Sequence, residues 1–230
     1  MTFADAVRAT EILLAFAFLL QSAEHLAGPA RDRALFLARL LLAIPLLIGF
    51  AAPWCLLGLA LISLVQLHRF DGPYNGGSDR MSILILWCLT AAHWLPHASF
   101  KEVALGYLAV QLTLSYFISG WVKLVNPQWR EGRALQGVFA FSAYPVSENL
   151  RGLSAYPRLC RTASWLVILF EILFPLCLLS PALLYGGLAI AATFHLANAC
   201  LFGLNRFFWI WLAAYPSLIW FQERFVGSVF

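Results

Sequence analysis

Lys123 lies in a stretch apolar enough to cross a membrane. A charged side chain at mid-bilayer costs about 2.5–3.5 kcal/mol even on a lenient insertion scale, so an amine there calls for a reason. Desolvation disfavours the ammonium form, which equips a buried lysine as a general base or nucleophile, whereas a lysine at a span end simply snorkels to water. Both readings of Lys123 stand on sequence. Helical spacing puts Tyr116, Ser119 and Gly120 on its side of the helix, which predicts a hydroxyl within reach and an open space where glycine has no side chain. Trp129, Arg130, Glu131 and Arg133 follow closely, so one short segment holds an ammonium, two guanidiniums, a carboxylate and an indole. His195 and Asn198 share a face at i and i+3 on a later helix, where they either bind a ligand or bridge to a facing helix.

Other ionisable groups fall inside apolar runs: Glu11 and Glu24 on the first helix, Arg39 on the second, and Glu171 on a later one. Glu11 and Arg39, on neighbouring helices, either neutralise each other or serve a site. Glu171 precedes Pro175 by four residues and either satisfies backbone groups freed by a proline kink or acts chemically. His93 and His97 flank Trp94 near a span end and read as interfacial anchors.

The elements that must position these groups follow from composition. The 230 residues are 62% hydrophobic and 11% charged, with a mean hydropathy of +0.79. Soluble domains carry about 25% charged residues, so this is a membrane chain; disordered, collagen-like, nucleic-acid-binding and disulfide-stapled classes are excluded. The net charge of +4 comes from scattered Lys and Arg that flank apolar runs, as headgroup contacts do. Five cysteines without a CxxC pair act as small hydrophobes, and no metal is expected.

At about 20 apolar residues per crossing, spans are expected near 8–27, 34–51, 54–69, 81–96, 102–125, 160–179, 182–203 and 206–222. Gly28-Pro29, Ala51-Ala52-Pro53, Asn126-Pro127 and Ser180-Pro181 punctuate them. Residues 69–80, with Gly72-Pro73 and Asn75-Gly76, form the clearest loop, and Ser78 or Asp79 is placed to cap the next helix. Residues 127–158 mix Arg130, Glu131, Arg133, Glu148, Arg151 and Arg158 with Trp129, Phe139, Phe141 and Tyr144, a composition suited to interfacial helices. The expected fold is an all-α polytopic bundle of about eight transmembrane helices plus interfacial helices, in one domain over 1–230. No cleavable signal peptide is expected, because the first apolar stretch lacks a basic n-region. With eight spans, Arg31, Arg33, Arg69, Arg80, Arg130, Arg133, Arg151, Arg158, Arg161 and Arg206 fall on one side, against Arg8, Lys101 and Arg224 on the other. The positive-inside rule then puts both termini outside the cytoplasm.

Tyr116-Phe117-Ile118-Ser119-Gly120-Trp121-Val122-Lys123-Leu124, then Trp129-Arg130-Glu131-Gly132, then His195-Leu196-Ala197-Asn198 with Leu201-Phe202-Gly203, resemble the HTTM family, the transmembrane domain shared with vitamin K-dependent gamma-carboxylases. The resemblance implies that Lys123 stands where those enzymes keep the lysine that acts as base on reduced vitamin K, and it brings a reduced quinone as cofactor. Beside such a base, Glu131, Arg133 and His195 are expected to position substrate or stabilise developing negative charge, Tyr116 to donate a hydrogen bond, and Trp129 and Asn198 to join them in binding. The carboxylases carry a histidine in the region matching Asn75 to Arg80; here it reads Asn-Gly-Gly-Ser-Asp-Arg, which leaves Asp79 and Arg80 as its polar candidates. They also continue into a large lumenal region after the last matched helix, whereas this sequence stops at Phe230, so glutamate carboxylation by this sequence alone is not expected. Short bacterial members of the SdpB type, similar in size and in the Gly-Gly-Ser-Asp loop, help to mature a peptide toxin with a separate partner.

Two functions compete. In the first, the chain is a base catalyst or maturation factor in the bacterial inner membrane that binds a quinol between the helices of Lys123 and His195 and acts on a peptide. In the second, it is a non-catalytic subunit that presents a peptide or partner protein on the segment from Trp129 to Arg158. Membrane lipids are partners in both and nucleic acid in neither. A transporter is disfavoured, since no inverted repeat is visible.

Overall fold

A computed structural model describes residues 1–27, 32–69, 77–141 and 148–227. The Gly28-Pro29 stop, Arg31, the Gly-Pro and Asn-Gly turns and Tyr144 lie outside the described residues. The described residues form ten α-helices: α1 (Phe3–Leu26), α2 (Arg33–Ile48), α3 (Ala52–Arg69), α4 (Gly77–Trp94), α5 (Ala98–Val125), α6 (Pro127–Arg130), α7 (Arg133–Phe141), α8 (Pro157–Leu173), α9 (Pro181–Phe202) and α10 (Asn205–Phe221). Short 3₁₀ segments, Glu148–Ala155 and Phe174–Leu179, and a π turn, Gln222–Val226, join them, with no strand among the described residues. The long helices, α1 to α5 and α8 to α10, fall where spans are expected. By length and hydropathy three stretches are able to cross a membrane: Ala98–Val125, Pro157–Leu179 and Pro181–Phe202. Large apolar side chains such as Ile48, Phe50 and Leu166 face outward, as they do where lipid replaces water.

Local chemistry sets the boundaries. Thr2 and Asp5 form a capping box that starts α1. Asn126 accepts from the Gln128 amide and Pro127 opens α6, while Ser180 caps α9 ahead of Pro181. The expected hairpin at Ala51-Ala52-Pro53 is present: Gly49 closes α2 in the left-handed region and α3 begins at Ala52. Helix α4 starts earlier than expected, so Ser78 and Asp79 sit inside its first turn instead of capping it, and Ser82 Oγ donates to the Asp79 carbonyl.

The chain falls into two compact units, one holding Met1–Ala109 with Arg206–Ser228 and the other Val110–Asn205. In the first, α1, α2, α3 and α4 pack in sequence, and α1 also meets α4. Ala6 and Ala15 of α1 and Ala43 of α2 are fully buried, and small side chains of this kind let helices pack closely where no hydrophobic effect separates helix from lipid. In the second, α6, α7 and the Glu148–Ala155 segment fold against α8, and the Phe174–Leu179 segment packs on α9.

Of the two readings of Glu11 and Arg39, mutual neutralisation is not the one found: each has other partners. Glu11 takes Arg8 at 2.9 Å and His93 Nε2 at 2.5 Å, so His93 is more than an anchor. Arg8 also donates to the Leu46 and Leu47 carbonyls, 2.8 and 2.5 Å away, and so supplements the Gly49 amide at the first and serves the second at the end of α2. The side chain one turn before Glu11 wins because i,i+3 residues share a helix face. Trp94 fits the anchoring role: its indole donates to the Pro53 carbonyl and meets Trp54 edge-on. Glu24 is exposed at the last turn of α1.

Arg8→Met takes the side-chain donor from the Leu47 carbonyl and leaves the buried Glu11 with His93 alone. We expect it to lower stability by about 1–3 kcal/mol, read as a fall in the thermal midpoint of the detergent-solubilised protein, with Glu11→Gln in the same chain recovering part of the loss. An unchanged midpoint for Arg8→Met would contradict this account of the α1 and α2 junction.

Candidate functional site

In the second unit Lys123, in the last turn of α5, reaches across to α8. Its Nζ donates to Glu171 Oε2 at 2.7 Å, to Glu171 Oε1 at 2.9 Å and to Ser119 Oγ at 2.6 Å. An ammonium has three N–H donors, so these contacts use all of them. Ser119 completes a triangle by donating to Glu171 Oε1 at 3.1 Å. The lysine side chain keeps 15% of its exposure and the glutamate 4%, so the pair is largely withdrawn from solvent. Lys123 therefore reaches a carboxylate instead of snorkelling to water. The indole of Trp129 stands over the amine, 5.3 Å from Nζ to the ring centre.

Glu171 thus serves an ion pair, not the backbone loosened by Pro175. That proline stands at the second position of the tighter 3₁₀ segment Phe174–Leu179, which follows directly on α8. The open space expected beside Gly120 is also absent. A Cβ there would lie 2.8 Å from Glu171 Cβ, Ile172 Cγ1 and the Ile172 backbone nitrogen. Glycine is needed because α8 presses its backbone against α5 at this point, and that approach brings Glu171 within reach of Lys123.

Two turns earlier on α5, the buried Tyr116 hydroxyl meets His195 Nε2 of α9 at 2.8 Å. Phe170 and Phe174 pack on the Tyr116 ring, and Phe194 packs beside His195. One face of α5 therefore engages α8 and α9 through residues 116, 119, 120 and 123. His195 bridges helices, while Asn198, half-buried, accepts the closing hydrogen bonds of α9 from Gly203 and Leu204 through its carbonyl.

The remaining candidates do not join Lys123. Glu131 and Arg133 pair with each other at 2.5 Å, each more than half exposed. Residues two apart do not meet on a helix; here they do because Gly132, at φ +79°, turns the chain between α6 and α7. A Cβ on Gly132 would fall 2.5 Å from the Arg161 backbone nitrogen, so this glycine also lets the turn lie on α8. Trp165 donates to the Arg130 carbonyl at 3.1 Å and fastens the same turn. Asp79 belongs to the first unit, where it lines a cavity with Arg39 and Arg206, and Arg80 is exposed.

Sequence reasoning named Lys123 and Glu171 separately but not as partners. The available signal was charge economy: a lone cation and a lone anion on apolar helices of one bundle tend to find each other.

Gly120→Ala forces α5 and α8 apart. We expect it to cost about 1–3 kcal/mol, or about 2–4 °C of thermal midpoint per kcal/mol for a chain of this size. A midpoint at or above wild type would show that the glycine does not govern this contact.

No match was found among curated proteins or among solved structures. The family model for the HTTM domain matches residues 93–223, more than half of the chain, from the end of α4 to the π turn. That stretch contains Tyr116, Lys123, Glu171 and His195, and the chain belongs to the HTTM domain family, a membrane domain related to the transmembrane part of the gamma-carboxylases.

Proposed function

We propose that this chain is a multi-pass protein of the bacterial cell membrane in which Lys123 and Glu171 act as a proton-handling pair, with Lys123 as base toward a reduced lipid-soluble quinone. One observation carries the reading: a largely buried amine donates to both oxygens of a more deeply buried carboxylate. Passing one proton along the 2.7 Å contact to Oε2 converts an ion pair into a neutral amine and a carboxylic acid. The amine then has a lone pair with which to take a proton, and Glu171 holds the first proton until it is returned. Removing both charges together offsets the desolvation that opposes either alone.

The ligand proposed for this site is an uncharged aromatic diol, which would stack on aromatic faces and take up the amine once Lys123 gives its proton to Glu171. Trp129 offers a half-buried indole face beside the amine, and Phe170, Phe174 and Tyr116 form an apolar aromatic wall along the same face of α5. The reduced quinone, when bound, supplies a weakly acidic hydroxyl and two reducing electrons, which no side chain of this site provides. Ser119 keeps the amine oriented, and the Tyr116–His195 bond fixes the distance between α5 and α9. The eight long helices are read as eight crossings, and a peptide is the expected final acceptor of the chemistry.

A second reading, a non-catalytic subunit that presents a partner, draws on the outer face of the second unit. Phe141 is 86% exposed, and Arg130 and Arg158 are exposed too. Arg151 is unsuited to test it. That side chain ties Glu148 and the Ala140 carbonyl together, so reversing its charge would unfasten the segment from within. Arg158 is the position for charge reversal.

Lys123→Ala and Lys123→Arg, assayed in membranes supplied with a reduced naphthoquinone, should each lower quinol turnover by about 10²–10⁴-fold, the usual worth of a positioned general base. Glu171→Gln should fall in the same direction. If both lysine variants turn over quinol at the wild-type rate while Arg158→Glu abolishes co-purification of a partner, the chain is a scaffold and not a base catalyst.

A further inference from the structure

The first unit contains a cavity of about 40 Å³ lined by Phe18, Gln21, Arg39, Gln66, Asp79 and Arg206, among others. None of these serves the proton chemistry proposed above. Arg39 is 4% exposed and lies midway along α2. Buried charges ordinarily pair with an opposite charge, because an uncompensated ion loses its hydration with nothing in return. Yet the groups that accept its hydrogen bonds are uncharged, and Asp79 acts on it only through space. It donates to the side-chain oxygens of Gln21 and Gln66, the latter at a long 3.3 Å, and rests on the Phe18 ring 3.9 Å from its centre. Its Nε has no partner among the described residues.

Arg206, the second cation, donates to His25 Nε2 at 2.6 Å. An arginine cannot accept, so His25 accepts with that nitrogen and carries no charge while the bond is made. Gln21 hydrogen-bonds Asp79 as well as Arg39, which leaves Asp79 as the one anion of the lining. Two guanidiniums against one carboxylate leave the cavity one positive charge in excess. A water needs about 10–15 Å³ by this measure of volume, so the space takes about three waters, or the oxygens of a single acidic group.

We propose that this cavity binds one singly charged oxyanion, a carboxylate or phosphate group, between Arg39 and Arg206. The free Nε of Arg39 supplies a charge-assisted hydrogen bond, and the ligand supplies the negative charge that the lining lacks. A small soluble acid and the headgroup of an anionic lipid present the same oxygens.

The test uses the full chain, purified in a neutral detergent and followed by thermal unfolding. Acetate and inorganic phosphate form one arm, and nanodiscs of phosphatidylglycerol against phosphatidylcholine form the other. We expect a saturable rise in midpoint with an anion. A rise with the soluble anions assigns the site to a free acid, and a rise only with phosphatidylglycerol assigns it to a headgroup. Arg39→Met should abolish the rise, since it removes both the Nε donor and one of the two cations that the anion would meet. Asp79→Asn, which removes the competing carboxylate, should tighten binding by about tenfold or more at the effective dielectric of such sites. No anion-dependent rise in wild type, an equal rise in Arg39→Met, or unchanged affinity in Asp79→Asn would overturn the proposal.

Discussion

A charge carried into an apolar helix must find a partner before the helix can settle, and that requirement organises this protein more than any other. Lys123 answers it with Glu171 and Ser119, in an arrangement that consumes every donor of the amine. The arrangement depends in turn on Gly120, because only a residue without a side chain lets α8 come close enough for a short carboxylate arm to reach. Local composition, helix packing and site chemistry are therefore one fact seen at three scales.

The first unit shows the same requirement met and then unmet. Glu11 is held by Arg8 and His93, and Arg8 also satisfies carbonyls at the end of α2, so a buried carboxylate and a helix terminus share one cation. Arg39 is the contrast. Amide oxygens and an aromatic ring surround it, and its Nε is left over. Two cations in one unit thus have opposite bearings: the half-buried Arg8 completes the contacts of Glu11 and α2, whereas the buried Arg39 keeps an Nε with no partner among the described residues.

How much of this was legible in the sequence divides along a physical line. The long helices were, because an apolar run of fixed length with Gly or Pro at its ends has few other solutions in a membrane. Their partners were not. The lysine and its carboxylate are 48 residues apart, and spacing carries no information about which helix faces which. Glu11 seemed suited to Arg39 because their helices are neighbours, but a side chain on its own helix face lay closer. Gly120 was read as a gap when it is a contact, since glycine marks both equally well. Glu131 and Arg133 looked like companions of Lys123 until the left-handed turn at Gly132 showed that they face each other outside the pair.

The central claim is that the amine of Lys123 and the carboxylate of Glu171 share protons inside the bilayer. Solid-state magnetic resonance on the protein in lipid, with lysine nitrogen-15 and glutamate carbon-13 labels, tests it most directly. The account predicts strong dipolar coupling between Lys123 Nζ and the Glu171 carboxyl carbon, with both signals shifting together as pH is changed. An Nζ signal that exchanges with bulk water, shows no coupling to Glu171 and titrates on its own would contradict it.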